Sequence, residues 1–388
     1  MSEFPLIRWT VGDEEHSARW RSEAGVPPPK RVVFVDDTLN GDSAFRLACE
    51  GTAMLWQGDF QNARQLLMAL ARRADRKPAK KGSELRRPLV EFFHLHRQAQ
   101  AQRSRILGML LVPLDADYGI PLRRAPDLKL ACGEVFGPGN ASADPTGVDS
   151  VISLRELLSL VSAHEWRKKG VEIPVLGARI HPYYGVFSPV RGEYLDLVAA
   201  APLPKAMSMA NKAFDIGTGT GVLAALLAKR GVMRITATDQ DPRALACARE
   251  NVERLGLGKQ IKVVEANLFP DGKAPLIVCN PPWIPARPSS PIECAVYDPD
   301  SQMLRGFLNG LKEHLGDGGE GWLILSDLAE HLGLRTRAEL TAMFDAAGLA
   351  VLGKSDIRPR HGKALDIEDP LHTARVAEVT SLWRLAVA

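Results

Sequence analysis

Two stretches of this chain set chemically useful residues at short spacing. In Phe214–Asp215–Ile216–Gly217–Thr218–Gly219–Thr220–Gly221, three glycines alternate behind an acid. Glycine takes positive φ at no steric cost and lets a ligand come close to the backbone. In Cys279–Asn280–Pro281–Pro282–Trp283, an amide side chain, two prolines and an indole follow one another. Neither proline donates to a strand ladder, so pairing stops and nearby carbonyls are left free to accept. An –NH2 on an sp² centre has a delocalised lone pair and is a poor nucleophile. The Asn280 side-chain oxygen and the Pro281 carbonyl can each take one of its N–H bonds and favour a move toward tetrahedral geometry. Trp283 offers a face for a planar amide or base. No strong base is needed, because alignment alone is worth roughly 7–11 kcal/mol in favourable cases.

These residues need elements to hold them. Ala213 and Phe214 form a short buried strand running into Asp215. Residues 222–228 form an apolar helix, closed by Lys229, Arg230 and Gly231 in the usual helix-stop order. The glycines thus lie between a strand end and a helix N-terminus. Residues 234–238 form a second strand ending at Asp239, an acid placed to accept hydrogen bonds from both hydroxyls of a ribose. Residues 275–279 read as a central strand. Open α/β sheets bind ligands at the carboxyl ends of their strands, so both stretches are expected to face one crevice.

The dinucleotide fingerprint is G-x-G-x-x-G, whereas the spacing here is G-x-G-x-G with Asp215 ahead. This pattern resembles motif I of class I S-adenosylmethionine (SAM) methyltransferases. Asn-Pro-Pro-aromatic resembles motif IV of the amino-methyltransferases: the HemK/PrmC-type release-factor glutamine enzymes, the guanine-N2 enzymes of the "methyltransferase small domain" group, and the adenine-N6 DNA enzymes. The resemblance covers residues 180–388. It implies SAM as cofactor, bound through Asp215, Gly217, Gly219, Gly221 and Asp239, with a carboxylate near the loop helping to hold the α-ammonium group. Asn267 stands where relatives often carry an Asp for the adenine amino group, and Leu268 and Phe269 would flank the adenine. Residues 185–195 look like the segment that precedes motif I in HemK-type enzymes, so Phe187, Pro189 and Glu193 would line the cofactor. Asn280, Pro281 and Trp283 would hold the methyl acceptor. An acidic loop, Asp298-Pro299-Asp300, stands at a place comparable to one in those enzymes.

The expected architecture is α/β, with two domains. Residues 179–388 form a Rossmann-like methyltransferase sheet, mostly parallel with an antiparallel last strand. Residues 1–178 form a separate mixed α/β domain for substrate recognition. The chain has 388 residues, 45% of them hydrophobic, and a net charge of +3, which excludes little. No apolar run approaches the ~20 residues of a membrane helix. The five cysteines are scattered without C-x-x-C, which suggests a reducing cytoplasm and no structural zinc. His94 and His96 have no ligand cluster beside them, so no metal is expected.

Element by element, residues 1–25 read as irregular, 30–35 as a strand, 43–55 and 60–75 as helices, 109–113 as a strand and 118–147 as loops. Ser153-Leu154-Arg155-Glu156 reads as a capping box. Residues 174–178 read as the interdomain linker, and 285–291 as a substrate lid. A basic run (Arg64, Arg72, Arg73, Arg76, Lys77, Lys80, Lys81, Arg86, Arg87, Arg97, Arg103, Arg105) is either a solvated helix pair or a phosphate-tracking face. The leading reading is an N-methyltransferase acting on RNA or on a protein glutamine. A small-molecule N-methyltransferase, an inactive nucleotide- or RNA-binding protein of the same fold, and an NAD-linked oxidoreductase remain open.

Overall fold

The computed structural model describes residues 4–76, 88–139, 149–189, 192–288, 291–360, 366–367 and 369–388. The chain groups into two compact units: Met1–Pro88 with His94–Glu165, and Leu89–Phe93 with Trp166–Ala388.

The first unit begins with a hairpin, β1 (Leu6–Val11) and β2 (Glu14–Arg21), where irregular chain was expected. Gly12, at φ 63°, makes its two-residue turn. The strands went unread because Glu14, Glu15 and His16 blur the alternation. Next come β3 (Arg31–Val35), α1 (Gly41–Cys49) and β4 (Thr52–Trp56). The helix expected over 43–55 therefore stops early: Gly51 takes φ 77° and the next five residues pair into the sheet, all buried. Then follow α2 (Phe60–Ala74), α3 (Leu89–Leu107), β5 (Leu110–Leu114), α4 (Lys129–Phe136), β6 (Ser150–Ser153) and α5 (Leu154–Lys169). Helix α4 lies inside the stretch read as loops. The sheet order is β1-β2-β6-β5-β4-β3, parallel across β3, β4 and β5 and antiparallel at β5–β6. Half of the capping box forms: Ser153 Oγ accepts from Glu156 N–H at 3.3 Å, while the Glu156 carboxylate turns to Glu23 N–H. Of the basic run, Lys77, Lys80, Lys81, Arg86 and Arg87 lie outside the described residues. Arg73 and Arg103 pair with Asp42 and Asp75.

The second unit opens with a small hairpin, β7 (Val171–Ile173) and β8 (Ala178–Ile180), so residues 174–177 form its turn. There follow α6 (Glu193–Ala200), β9 (Lys212–Ile216), α7 (Val222–Lys229), β10 (Arg234–Asp239), α8 (Pro242–Arg254), β11 (Ile261–Glu265) and β12 (Ala274–Cys279). The chain closes through α9 (Gln302–His314), β13 (Leu315–Ser326), α10 (Leu328–His331), α11 (Arg337–Ala346), β14 (Leu349–Ile357), α12 (His372–Ala377) and β15 (Thr380–Val387). The sheet order is β11-β10-β9-β12-β13-β15-β14. The first five strands are parallel, and β15 runs antiparallel to both neighbours. This is the mostly parallel class I methyltransferase sheet with its antiparallel last strand.

Side chains alternate across this sheet with period two, and both faces are covered. Ala213, Leu276, Val278 and Trp322 pack under α6 and α7. Phe214, Ile216, Ile277, Cys279 and Leu323 pack under α9 and α11. Helix α8 starts where Asp241 accepts the Arg243 N–H at 2.8 Å, with Pro242 fixing its first turn. Among the described residues, no helix is long and apolar enough to cross a membrane.

Candidate active site

Strands β9 and β12 are parallel neighbours, with Ile216 opposite Cys279. Gly217 and Asn280 therefore leave the sheet side by side, on chains about 4.8 Å apart. On the other side of β9, Thr238 lies opposite Ile216, which brings Asp239 to the same edge. Asp239 in turn faces Glu265 of β11, two residues before Asn267. The structure thus gathers Gly217, Asp239, Asn267 and Asn280 at one end of the sheet.

All three glycines are left-handed: Gly217 at φ 68°, Gly219 at 55° and Gly221 at 81°. A Cβ on Gly217 would meet only the tip of the flexible Met303 side chain of α9, so the left-handed turn is the stronger reason for glycine there. A Cβ on Gly219 would meet nothing within 4 Å, so there the turn alone selects glycine and the space beside it is open.

Asp215 is fully buried. Its Oδ2 accepts from Thr218 Oγ1 at 2.6 Å and from Ala224 N–H at 3.0 Å, tying the loop to the first turn of α7. Its Oδ1 is buried without a hydrogen-bond partner. Burial pushes this carboxyl up to about 6, against the two hydrogen bonds, and the nearby Asp239 charge adds to the rise. Asp239 Oδ2 accepts from Gly219 N–H and Oδ1 from Asp241 N–H, both at 3.0 Å. Burial raises its pKa too, more than these backbone donors lower it. Each Asp239 oxygen keeps a lone pair for a further donor. An unpartnered buried carboxylate oxygen and a second half-buried acid fit a ligand that carries a cation and vicinal hydroxyls.

At the acceptor end, Trp283 Nε1–H donates to Asn280 Oδ1 at 2.9 Å. The Asn280 side chain also lies close to the phenol of Tyr194 in α6. Tyr194 is buried beside Asp215, and burial holds its phenol well above the ordinary range. The indole fixes which way the amide points, and Oδ1 retains a second lone pair. Trp283 itself is half-buried and packs against the clusters on both sheet faces. Asn267 is exposed.

Phe269 and Asp298 are taken up by the scaffold. Phe269 is taken up by the core: it stacks on His314 at 4.5 Å and on Phe307 at 6.0 Å, so it has no free face for an adenine. Asp298 is buried and accepts the N–H groups of Met303 and Leu304, which makes it a brace for the start of α9. Phe187 packs on the α6–α7 cluster and Pro189 is buried, whereas Val190 and Arg191 lie outside the described residues. Glu193 Oε1 accepts the Arg360 N–H at 2.6 Å.

Tyr194, Met303 and Asn251 were not among the site residues expected by name. Asn251, 1% exposed, accepts from His181 N–H and donates to Thr220 O at 3.1 Å, linking the segment before α6 to the glycine loop. Glu250 supports the same segment. Hydrogen bonds from Tyr183, Arg254 and Arg167 outweigh its burial and hold it down to about 2. Among the described residues, no group of three or more His, Cys, Asp or Glu is placed to hold a metal ion.

Residues 178–348 match the family model described as "Methyltransferase small domain". The chain is 40% identical over 99 residues to a release factor glutamine methyltransferase of Deinococcus radiodurans, covering 24% of this chain and 35% of that one. It is 28% identical over 167 residues to a putative protein N5-glutamine methyltransferase of Methanocaldococcus jannaschii, covering 41% and 80%. A 69-residue stretch is 44% identical to a ribosomal protein L11 methyltransferase of Pelotomaculum thermopropionicum, covering 17% and 22%. The chain spans well under half the length of the first and third of these relatives.

Proposed function

We propose that this protein is a SAM-dependent N-methyltransferase whose acceptor is a planar amide nitrogen, the side chain of a protein glutamine. The observation that carries the reading is the β9–β12 register, which sets Gly217 beside Asn280. The names of two relatives, both glutamine methyltransferases, favour glutamine over a base.

SAM, when bound, supplies an electrophilic methyl group. Asp215 Oδ1 is the acceptor for its ammonium group, and Asp239 for its ribose hydroxyls. Gly217, Gly219 and Gly221 let the backbone approach, and Asn267, Phe187 and Pro189 complete the surround. Asn280 Oδ1 and the Pro281 carbonyl take the two N–H bonds of the acceptor amide, while Trp283 both stacks on it and holds Asn280 in register. Tyr194 stands beside the Asn280 amide. An N-alkylated amide cation is strongly acidic, so its proton leaves to water without a protein base. The N-terminal unit recognises the macromolecule. The free state of all five cysteines supports a cytoplasmic setting.

Incubating the protein with methyl-labelled SAM and cell extract, then with protease or ribonuclease, tests this reading. Label should be lost to protease alone. Loss to ribonuclease alone would make the acceptor RNA, and label in small solutes would make it a metabolite. An absence of transfer despite SAM binding would leave a binding protein.

A further inference from the structure

We infer that the N-terminal unit carries an anion pocket between Arg19, Arg21 and Phe136, built for a carboxylate or phosphate attached to an apolar body. A cavity of about 360 Å³ opens there, walled by Phe4, Trp20, Val26 and Phe136 and by the two arginines. That volume is in the range of small-ligand sites, as is the combination of apolar walls with a few convergent polar groups.

Arg21 is the central observation. It is 8% exposed, and its Nε donates to Ser150 Oγ at 2.8 Å. Its guanidinium lies over the rings of Phe136 at 4.6 Å and Tyr118 at 4.9 Å. Its Nη1 is buried with no hydrogen-bond partner, and no carboxylate among the described residues pairs with it. Burial, and then the charge of Arg19, pushes Arg21 below the usual arginine range. A buried guanidinium facing a second cation lacks a counter-charge, which is the arrangement that a planar anion satisfies. Among the described residues, Glu23 is the one carboxylate that lines the cavity, against two guanidinium groups. The walls are held in place: Trp20 Nε1–H donates to Val26 O at 2.7 Å, Ser22 Oγ accepts from Val26 N–H, and Arg19 covers the Phe4 ring.

The test uses the full-length chain in calorimetric titrations with benzoate, phenyl phosphate and the neutral benzyl alcohol. We expect one saturable anion site, with benzyl alcohol at least about tenfold weaker. Tighter benzoate binding assigns the pocket to carboxylates, and tighter phenyl phosphate binding to phosphate esters. Arg19→Gln, at a half-exposed position, should weaken the anion about tenfold and leave SAM affinity unchanged. Arg21→Met should abolish the site. Should that variant not fold, Arg21→Lys keeps the charge but loses the planar fork, and it should bind more weakly than the unaltered chain. Equal binding of the neutral probe, no saturable binding of either anion, or full affinity in Arg19→Gln would overturn the inference.

Discussion

Replacing Asp215 by Asn should make the C-terminal unit more stable and its cofactor site worse. The Asp215 carboxyl is fully buried and raised from 3.8 to about 6, with burial as the main cause. At 1.36 kcal/mol per unit, a shift of about two units means that ionising it in the folded state costs ~3 kcal/mol. The sign follows from the folded pKa lying above the unfolded one. The cost begins as pH rises past about 4, grows through about 6 and is complete above that. Asn removes the charge and still accepts from Thr218 and Ala224 through its own oxygen. The unpartnered atom at Oδ1 remains unpartnered in both chains, so its contribution cancels to first order. The variant should therefore gain ~3 kcal/mol at about pH 7.5 and only ~1 kcal/mol at about pH 4.5. Hydrogen exchange of peptides spanning β9 and α7 reads this difference within the unit itself. A variant that is less stable at neutral pH, or a gap that ignores pH, would contradict a buried Asp215 carboxyl that is costly to ionise. SAM affinity should meanwhile fall, and in the unaltered chain it should rise as pH climbs through about 6.

Asp239→Ala removes the acceptor at the end of β10 and should weaken SAM about 10- to 100-fold by calorimetry; unchanged affinity would dismiss the ribose role. Asn280→Ala should keep SAM affinity while turnover falls at least ~100-fold, and undiminished turnover would take Asn280 out of the mechanism. Tyr194→Phe removes the hydroxyl that lies beside the Asn280 amide, so kcat should drop about threefold to tenfold with SAM affinity intact. Gly219→Ala imposes the left-handed φ on a residue with a side chain, at ~1–2 kcal/mol of stability. It meets no neighbour, so the chain should still fold while SAM binding weakens.

The core of the site was legible because its signals are local and unusual. Alternate glycines behind Asp215 need a left-handed loop, and the two prolines after Asn280 must end a strand. Residues 234–238 were readable as β10 for a similar reason, being a short run rich in β-branched residues between Gly231 and Asp239. What escaped depends on contacts remote in sequence. Nothing near Tyr194 shows that it meets Asn280, 86 positions on. Phe269 reads as an adenine neighbour until α9 brings Phe307 and His314 against it. In the N-terminal unit, residues 52–56 carry no period of their own. An apolar run that directly follows a helix can be read as its last turns unless Gly51 is given due weight. The hairpin of β1 and β2 was hidden for the opposite reason, since Glu14, Glu15 and His16 dilute the pattern of a strand at the sheet margin.

Because Ile216 and Cys279 are rungs of one ladder, the gap between the proposed donor seat and the proposed acceptor seat is set by peptide geometry and stays the same whichever client arrives. Lineages built on this sheet can therefore exchange whatever delivers the client, an appended module or a loop, without resetting the reaction distance. Selection for a new target would then fall on the parts around the sheet and leave the rungs alone.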